Sequence, residues 1–264
     1  MEYEHLEVAT QQHIKIVSFN RADKGNSLTL SSMKELIHLC ESLHEDTETR
    51  VVIFSGKGKN FCTGADLTDP DMAKQQQESL LTKMRSLEIG PKMISTIYNL
   101  PQITIAALQG KTLGGGACIA SACDFRVATE SSQIGYPESN LAMNLSWLGL
   151  PLCVHLVGPS KAKRLVILGN RESAIDLLDW GFIDELTLDD SLMVRATEMA
   201  EAYAKQPPVA AQMIKRSVNR LVSALDESIM HMDKDQFILT TGTKDFMEGV
   251  TASMQRREAK FTGE

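Results

Sequence analysis

The chain lacks cysteine pairs, a basic excess, long apolar runs and internal repeats, and each absence excludes a class of protein. Its five cysteines, Cys40, Cys62, Cys118, Cys123 and Cys153, form no CxxC and no Cys/His cluster at zinc spacing. They read as free thiols in a reducing compartment, and no metal site is expected. Lys and Arg number 27 against 34 Asp and Glu, a net charge of −7. That balance argues against nucleic acid or an anionic membrane as partner. It leaves room for an anionic small molecule on a local basic patch. No apolar run approaches membrane-spanning length. The opening MEYEHLEVAT has no basic region followed by an apolar stretch, so no secretory signal is expected and a cytoplasmic location is. Neither a repeat of fixed period nor a low-complexity tract is present.

What remains is an ordinary globular chain of 264 residues, 43% hydrophobic and 23% charged. That suits one large domain, or one with a small appendage. Periodicity predicts strands at Ile14–Phe19, Arg50–Ser55, Ile103–Leu108, Phe125–Ala128 and Gln133–Tyr136. Helical spacing covers Leu30–Leu43 and Ser79–Leu100, the latter irregular at Gly90-Pro91. The polar stretch Thr68–Gln77 has little to bury and is expected to be mobile. After Gly158 helices dominate: Ser160–Leu168, Ser173–Trp180, Ser191–Lys205, Pro208–Leu225, Asp226–Leu239 and Lys244–Arg257, with a short extended piece at Phe182–Leu186. Ser160, Ser173 and Ser191 are candidate N-caps, and Pro208 suits a first turn. Strand–helix–strand order followed by helices indicates an α/β core over residues 1–190 and a helical section over 191–264.

The central stretch is Leu113-Gly-Gly-Gly-Ala-Cys-Ile-Ala-Ser-Ala-Cys-Asp124, directly after an apolar strand. Glycine permits close approach of a ligand to the backbone. A helix N-terminus offers free N–H groups to a negative oxygen. The same residues also read as a glycine-rich turn before a core helix, and they fit neither a Walker loop nor a dinucleotide fingerprint. A second glycine loop, Thr63-Gly-Ala-Asp66, follows another strand. If the two strands are neighbours, N–H groups from both loops converge as an oxyanion hole. Glu138 precedes an apolar stretch, which would raise its pKa and make it a base near neutral pH. It is equally an ordinary first-turn acid of a helix. Asp66 and Asp124 read as turn or cap residues, and His155 as a packed or capping histidine. Cys118 as a nucleophile would need a His and a third group, and none is near in sequence.

These residues resemble the crotonase superfamily of enoyl-CoA hydratases and isomerases. The likeness is carried by Phe61-Cys-Thr-Gly-Ala-Asp-Leu67, Ile105-Ala-Ala-Leu-Gln-Gly110, Leu113-Gly-Gly-Gly116, Cys123-Asp124 and Pro137-Glu138. It continues through Val157-Gly-Pro-Ser-Lys-Ala162, Ala174 to Gly181 and Phe246-Met-Glu-Gly249. The resemblance implies a spiral of ββα units with C-terminal helices that build a homotrimer or a dimer of trimers. It implies an acyl-CoA thioester, or an acyl-carrier-protein thioester, as substrate, and no cofactor beyond that CoA. By the same likeness the oxyanion donors fall on the N–H groups of Ala65 and Gly115. The CoA loop falls on Asn20–Leu28 with Lys24, adenine-side contacts on Thr63 and Leu67, and a phosphate contact on Arg256.

Two departures bear on the reaction. The family's hydratases carry two glutamates; Cys118 occupies the first position and Glu138 the second. Moving a double bond needs one base, and the family's one-glutamate members are isomerases. After Glu138, the hydratases' glycine-rich run is replaced by Asn140-Leu-Ala-Met-Asn-Leu-Ser-Trp-Leu148. This puts Met143, Asn144, Ser146 and Trp147 with Cys118 around the expected acyl pocket. A 3-enoyl-CoA isomerase leads; a hydratase or other crotonase reaction using Glu138 and Asn144, and a non-catalytic acyl-CoA binder, stay open.

Overall fold

The computed structural model describes residues 3–75 and 78–264. Its strands and helices, in chain order, are β1 (Leu6–Gln11), β2 (Ile14–Phe19), α1 (Leu30–Leu43), β3 (Val51–Gly56), α2 (Pro70–Gln75), α3 (Leu80–Ser86) and α4 (Ile89–Tyr98). Then come β4 (Ile103–Leu108), β5 (Lys111–Leu113), α5 (Gly115–Ala122), β6 (Phe125–Thr129), β7 (Gln133–Gly135) and α6 (Gly149–Leu168). The chain closes with β8 (Glu172–Ser173), α7 (Ala174–Asp179), β9 (Glu185–Thr187), α8 (Leu192–Ala204), α9 (Pro208–Val222), α10 (Glu227–Met230), α11 (Asp233–Thr241) and α12 (Lys244–Gln255).

A six-stranded sheet runs β1-β2-β3-β4-β6-β9, with β1–β2 antiparallel and every other pair parallel. A smaller sheet runs β5-β7-β8. Two parallel bridges, Leu28↔Ala65 and Cys62↔Thr112, extend that second layer back toward the start of the chain. The chain therefore winds as a spiral: a long strand, a short extended piece beside it, then a helix. Parallel strands are buried on both faces. In β3, Val52 and Phe54 join the core under α1, α4, α5 and α6, while Val51 and Ile53 face the opposite core.

That opposite core is closed by Leu192, Ala196 and Ala200 of α8. Helix α8 thus packs on the sheet, and a boundary at 190/191 would cut the core in two. The helical section that stands outside the core begins only after α8.

Several expected elements shift. The single helix over 79–100 is two, because Ser79 N-caps α3 and α4 starts afresh at Ile89. Pro91 then sits near the start of α4, where its missing N–H costs nothing. Gly158, at φ 74°, breaks α6, so Ser160 lies within a helix instead of capping one. Ser173 does cap α7 by accepting from Asp176 N–H, whereas the Ser191 side chain makes no cap bond. The 226–239 helix is divided into α10 and α11. Strands β1 and β5 carry too few buried positions to stand out by alternation. Of the polar stretch 68–77, residues 70–75 form α2, and 76 and 77 lie outside the described residues. Among the described residues no helix is long and apolar enough to cross a membrane.

Candidate active site

Strands β3 and β4 are neighbours, so the loops that leave them meet. Leu28 N–H donates to Gly64 O (2.8 Å), and Asp66 N–H donates to Leu28 O (2.8 Å). In a parallel bridge of this kind the intervening residue turns its N–H away, and among the described residues no backbone carbonyl accepts from Ala65 N–H. Gly115 opens α5, so its N–H has no partner within the helix. The two loops touch: a Cβ on Gly64 would lie 2.9 Å from Leu113 O and 3.4 Å from Gly115 N. Both free N–H groups therefore belong to one junction.

Each glycine of the triple run admits a different neighbour. Gly114 takes φ 53° at the turn into α5, and a Cβ there would lie 2.8 Å from Glu138 Oε1. A Cβ on Gly115 would meet the Trp147 ring at 2.3 Å, and one on Gly116 would meet Cys62 O at 2.3 Å. The motif is needed for packing as well as for any ligand.

Asp66 secures the Ala65 loop. Its carboxylate accepts from Thr68 N–H (3.0 Å) and Thr68 Oγ1 (2.6 Å), and from Arg21 Nη2 (3.0 Å). Burial alone would raise its pKa, but these hydrogen bonds outweigh burial and hold the carboxyl below the usual range. Asn26 secures the neighbouring loop by donating to Lys57 O (2.9 Å) and Asn60 O (2.7 Å).

Beneath the junction lies a cavity of about 480 Å³ whose wall includes Ala65, Gly115, Cys118, Glu138, Ser146 and Trp147. Met143 and Leu67 also face it; Leu67 is 69% exposed at its mouth. Phe237 of α11 and Phe246, Met247 and Val250 of α12 complete the wall; Phe246 and Met247 belong to the Phe246-Met-Glu-Gly249 motif, whereas Phe237 and Val250 did not stand out in the sequence. Among the described residues Glu138 is the one carboxylate in that wall. Its pKa is pushed up to about 7 by burial, against a single opposing hydrogen bond from its own N–H. Among the described residues its buried Oε2 has no hydrogen-bond partner. This is a base with a free lone pair, poised near neutral pH. Cys118 is held as a neutral thiol: burial, then the nearby Glu138 and Asp233, push its pKa well above the usual range.

The expected residues do not all converge. Thr63 is brought against Gly25, the residue after Lys24, since a Cβ on Gly25 would stand 3.0 Å from Thr63 Cγ2 and Thr63 N–H donates to Gly25 O (3.1 Å). Arg256 is exposed at the C-cap of α12 and forms no part of the cavity wall. Asn144 is turned away from the cavity: its Nδ2 donates to Gln236 Oε1 (2.7 Å) and its N–H to Thr240 Oγ1 (3.1 Å). The structure thus corrects its placement in the pocket. Asp233, missed in the sequence, accepts from Trp147 N–H (2.9 Å) and Leu148 N–H (3.3 Å); burial pushes its pKa up to about 6 despite both bonds. Asp124 is more than a cap, for it pairs with Lys215 at 2.7 Å. His155 Nε2 and Asp226 Oδ1 are hydrogen-bonded at 3.0 Å, so the histidine is held by a side chain 71 residues on.

A sequence profile described as enoyl-CoA hydratase/isomerase matches residues 9–264. The protein YngF of Bacillus subtilis (strain 168) is 30% identical over 253 residues, covering 96% of this chain and 95% of the relative. Mitochondrial methylglutaconyl-CoA hydratase of Mus musculus is 30% identical over 272 residues, 98% of this chain and 82% of the relative. The crystal structure of an enoyl-CoA hydratase from Bacillus anthracis superposes with a TM-score of 0.78 at 30% identity, covering 99% of this chain and 100% of the other.

Proposed function

The chain belongs to the enoyl-CoA hydratase/isomerase family, and on that footing we propose that it shifts the double bond of a 3-enoyl-CoA to the 2-position with Glu138 as its single proton shuttle. The supporting observation is that, among the described residues, Glu138 is the one carboxylate of the cavity wall and has an oxygen without a hydrogen-bond partner. The thioester oxygen sits between the N–H groups of Ala65 and Gly115. Glu138 removes a proton from C2; the electrons move onto that oxygen, giving a dienolate held by the two N–H donors. Glu138 then returns the proton to C4 as the C2–C3 double bond forms. One proton leaves and one arrives, so no water and no cofactor enters the balance. The CoA loop at Asn20–Leu28, Lys24, Thr63 and Arg256 carry the nucleotide end.

A hydratase is the second reading, favoured by the names of the Mus musculus and Bacillus anthracis relatives. Hydration gains from two carboxylates that orient and deprotonate water. A neutral thiol such as Cys118 is a weak hydrogen-bond partner in that role, and Asn144 is engaged by α11. Turnover of 3-hexenoyl-CoA against 2-hexenoyl-CoA, followed by absorbance of the conjugated thioester, separates the two. Gain of absorbance from the 3-enoyl substrate supports isomerisation; loss from the 2-enoyl substrate alone supports hydration.

The enzyme is further proposed to be cytoplasmic and to assemble as a homotrimer or dimer of trimers. Helix α9 and the turn after it expose Ile214, Val218, Leu221, Val222 and Leu225 along one stripe. Such a stripe marks an interaction surface.

A further inference from the structure

Trp147 enters the cavity wall from the loop between Glu138 and α6. Its indole occupies a slot formed by glycines of two different helices. A Cβ on Gly90 of α4 would lie 2.1 Å from the indole Nε1, and a Cβ on Gly115 of α5 would lie 2.3 Å from Cζ3. Neither spacing admits a side chain, so the slot exists only because both positions are glycine. The six-membered edge of the ring therefore rests on the Cα of Gly115, whose N–H is a proposed oxyanion donor. Trp147 lines the same cavity as Ala65, Gly115 and Glu138, so the acyl group of a thioester held on that N–H would enter a space that the indole bounds.

The loop that carries the indole is disfavoured by its own backbone. Trp147 and Leu148 take left-handed φ values of 58° and 57° in succession, which residues with a Cβ avoid. Helix α11 holds them there. Asp233 Oδ2 and Oδ1 accept the N–H groups of Trp147 (2.9 Å) and Leu148 (3.3 Å). Gln236 and Thr240 hold Asn144 at the start of the same loop. Asp233, Gln236 and Thr240 are spaced i, i+3 and i+7, one face of the helix. The indole thus packs on a glycine at each of its two rings, while the polar stripe of α11 holds the backbone that carries it.

We infer that Trp147 excludes acyl groups branched at C2 or C3, and that Asp233 is the residue that positions it, so that the site takes unbranched acyl chains. This rests on the acyl-CoA reading of the cavity and names the acyl class within it.

Binding of saturated acyl-CoAs tests this without relying on turnover. Dissociation constants of butyryl-CoA, isobutyryl-CoA and isovaleryl-CoA are measured by calorimetry on the full chain in its native assembly, with free CoA as baseline. Wild type should bind butyryl-CoA at least ~10-fold tighter than either branched ligand, the scale of one misplaced carbon in an apolar pocket. Trp147→Ala should bring all three within about threefold of one another. Trp147→Phe, which keeps a ring in the slot, should fall between and serves if the Ala variant does not fold. Asp233→Asn keeps one acceptor oxygen and should narrow the gap in part; Asp233→Ala should close it, with free CoA affinity unchanged in both. Wild type that binds branched and straight ligands alike overturns the inference. Asp233 variants that weaken every ligand by one common factor overturn its positioning role. Butyryl-CoA that binds no better than free CoA overturns the acyl-CoA reading, and the inference with it.

Discussion

The carboxylate of Glu138 and the indole of Trp147 press on successive glycines. A Cβ on Gly114 would stand 2.8 Å from Glu138 Oε1, and one on Gly115 would stand 2.3 Å from Trp147 Cζ3. The proposed base and the rigid wall thus flank one peptide group, the one whose N–H is a proposed oxyanion donor. Chemistry and acyl selection are built on the same two residues.

Glu138→Gln preserves shape and removes the base. The isomerisation rate should fall by about 100- to 10,000-fold, while acyl-CoA binding survives because the oxyanion donors are backbone groups. Cys118→Ala should stay within a few-fold of wild type. Steady-state kinetics of both variants decide the matter: a Cys118→Ala enzyme as dead as Glu138→Gln would make the thiol a chemical participant.

The pH dependence of Glu138 acts in opposite directions on rate and stability. With its pKa pushed up to about 7 by burial, kcat/KM should rise as pH passes through 7 and level off above. The folded chain holds this proton where the unfolded chain, titrating near 4.3, has lost it. Its contribution to stability is therefore complete below about pH 4 and is lost as pH climbs through 7, on the order of 3 kcal/mol in all. Glu138→Gln should be more stable than wild type at pH 8 and nearly equal at pH 4, in urea melts at one fixed protein concentration.

The Lys215–Asp124 pair is buried, its side chains 5% and 15% exposed. Asp124 also accepts from Thr104 N–H (2.7 Å) and Oγ1 (2.9 Å), and Lys215 donates to Gln102 O (2.8 Å). Asp124→Asn leaves the ammonium without its counter-charge and should cost about 3–5 kcal/mol, read from the same melts. A loss under about 1 kcal/mol would mean that α9 is held by packing alone.

Arg256→Ala should weaken CoA binding, and more so at low salt, where exposed charges are least screened. Affinity unchanged at every ionic strength would remove Arg256 from the phosphate site.

Light scattering of the wild type should give the mass of three or six chains. Val218→Asp, in the middle of the exposed stripe on α9, should lower it by placing a charge in an apolar contact. A wild-type monomer at micromolar concentration would discard the proposed assembly.

Much of the architecture is legible in the amino-acid sequence itself. Helix α1 and strands β2 and β4 fall at their expected limits, because burial of one helix face or one strand run repeats at a short period that the chain itself displays. The loops at Ala65 and Gly115, and Glu138 with its apolar surroundings, were also legible, since glycine and a lone carboxylate are conspicuous in such a context. What folding decided lies between residues far apart in the chain. Trp147 meets Gly90 and Gly115, Asp233 reaches back to Trp147 and Leu148, and Lys215 finds Asp124. Asn144 faces α11 and not the pocket, a matter of which way a loop turns. Helix α8 belongs to the core because the sheet has a second apolar face to cover. Local periodicity says that a face is apolar or a loop is polar. Which distant group satisfies it depends on where the rest of the chain has already been packed.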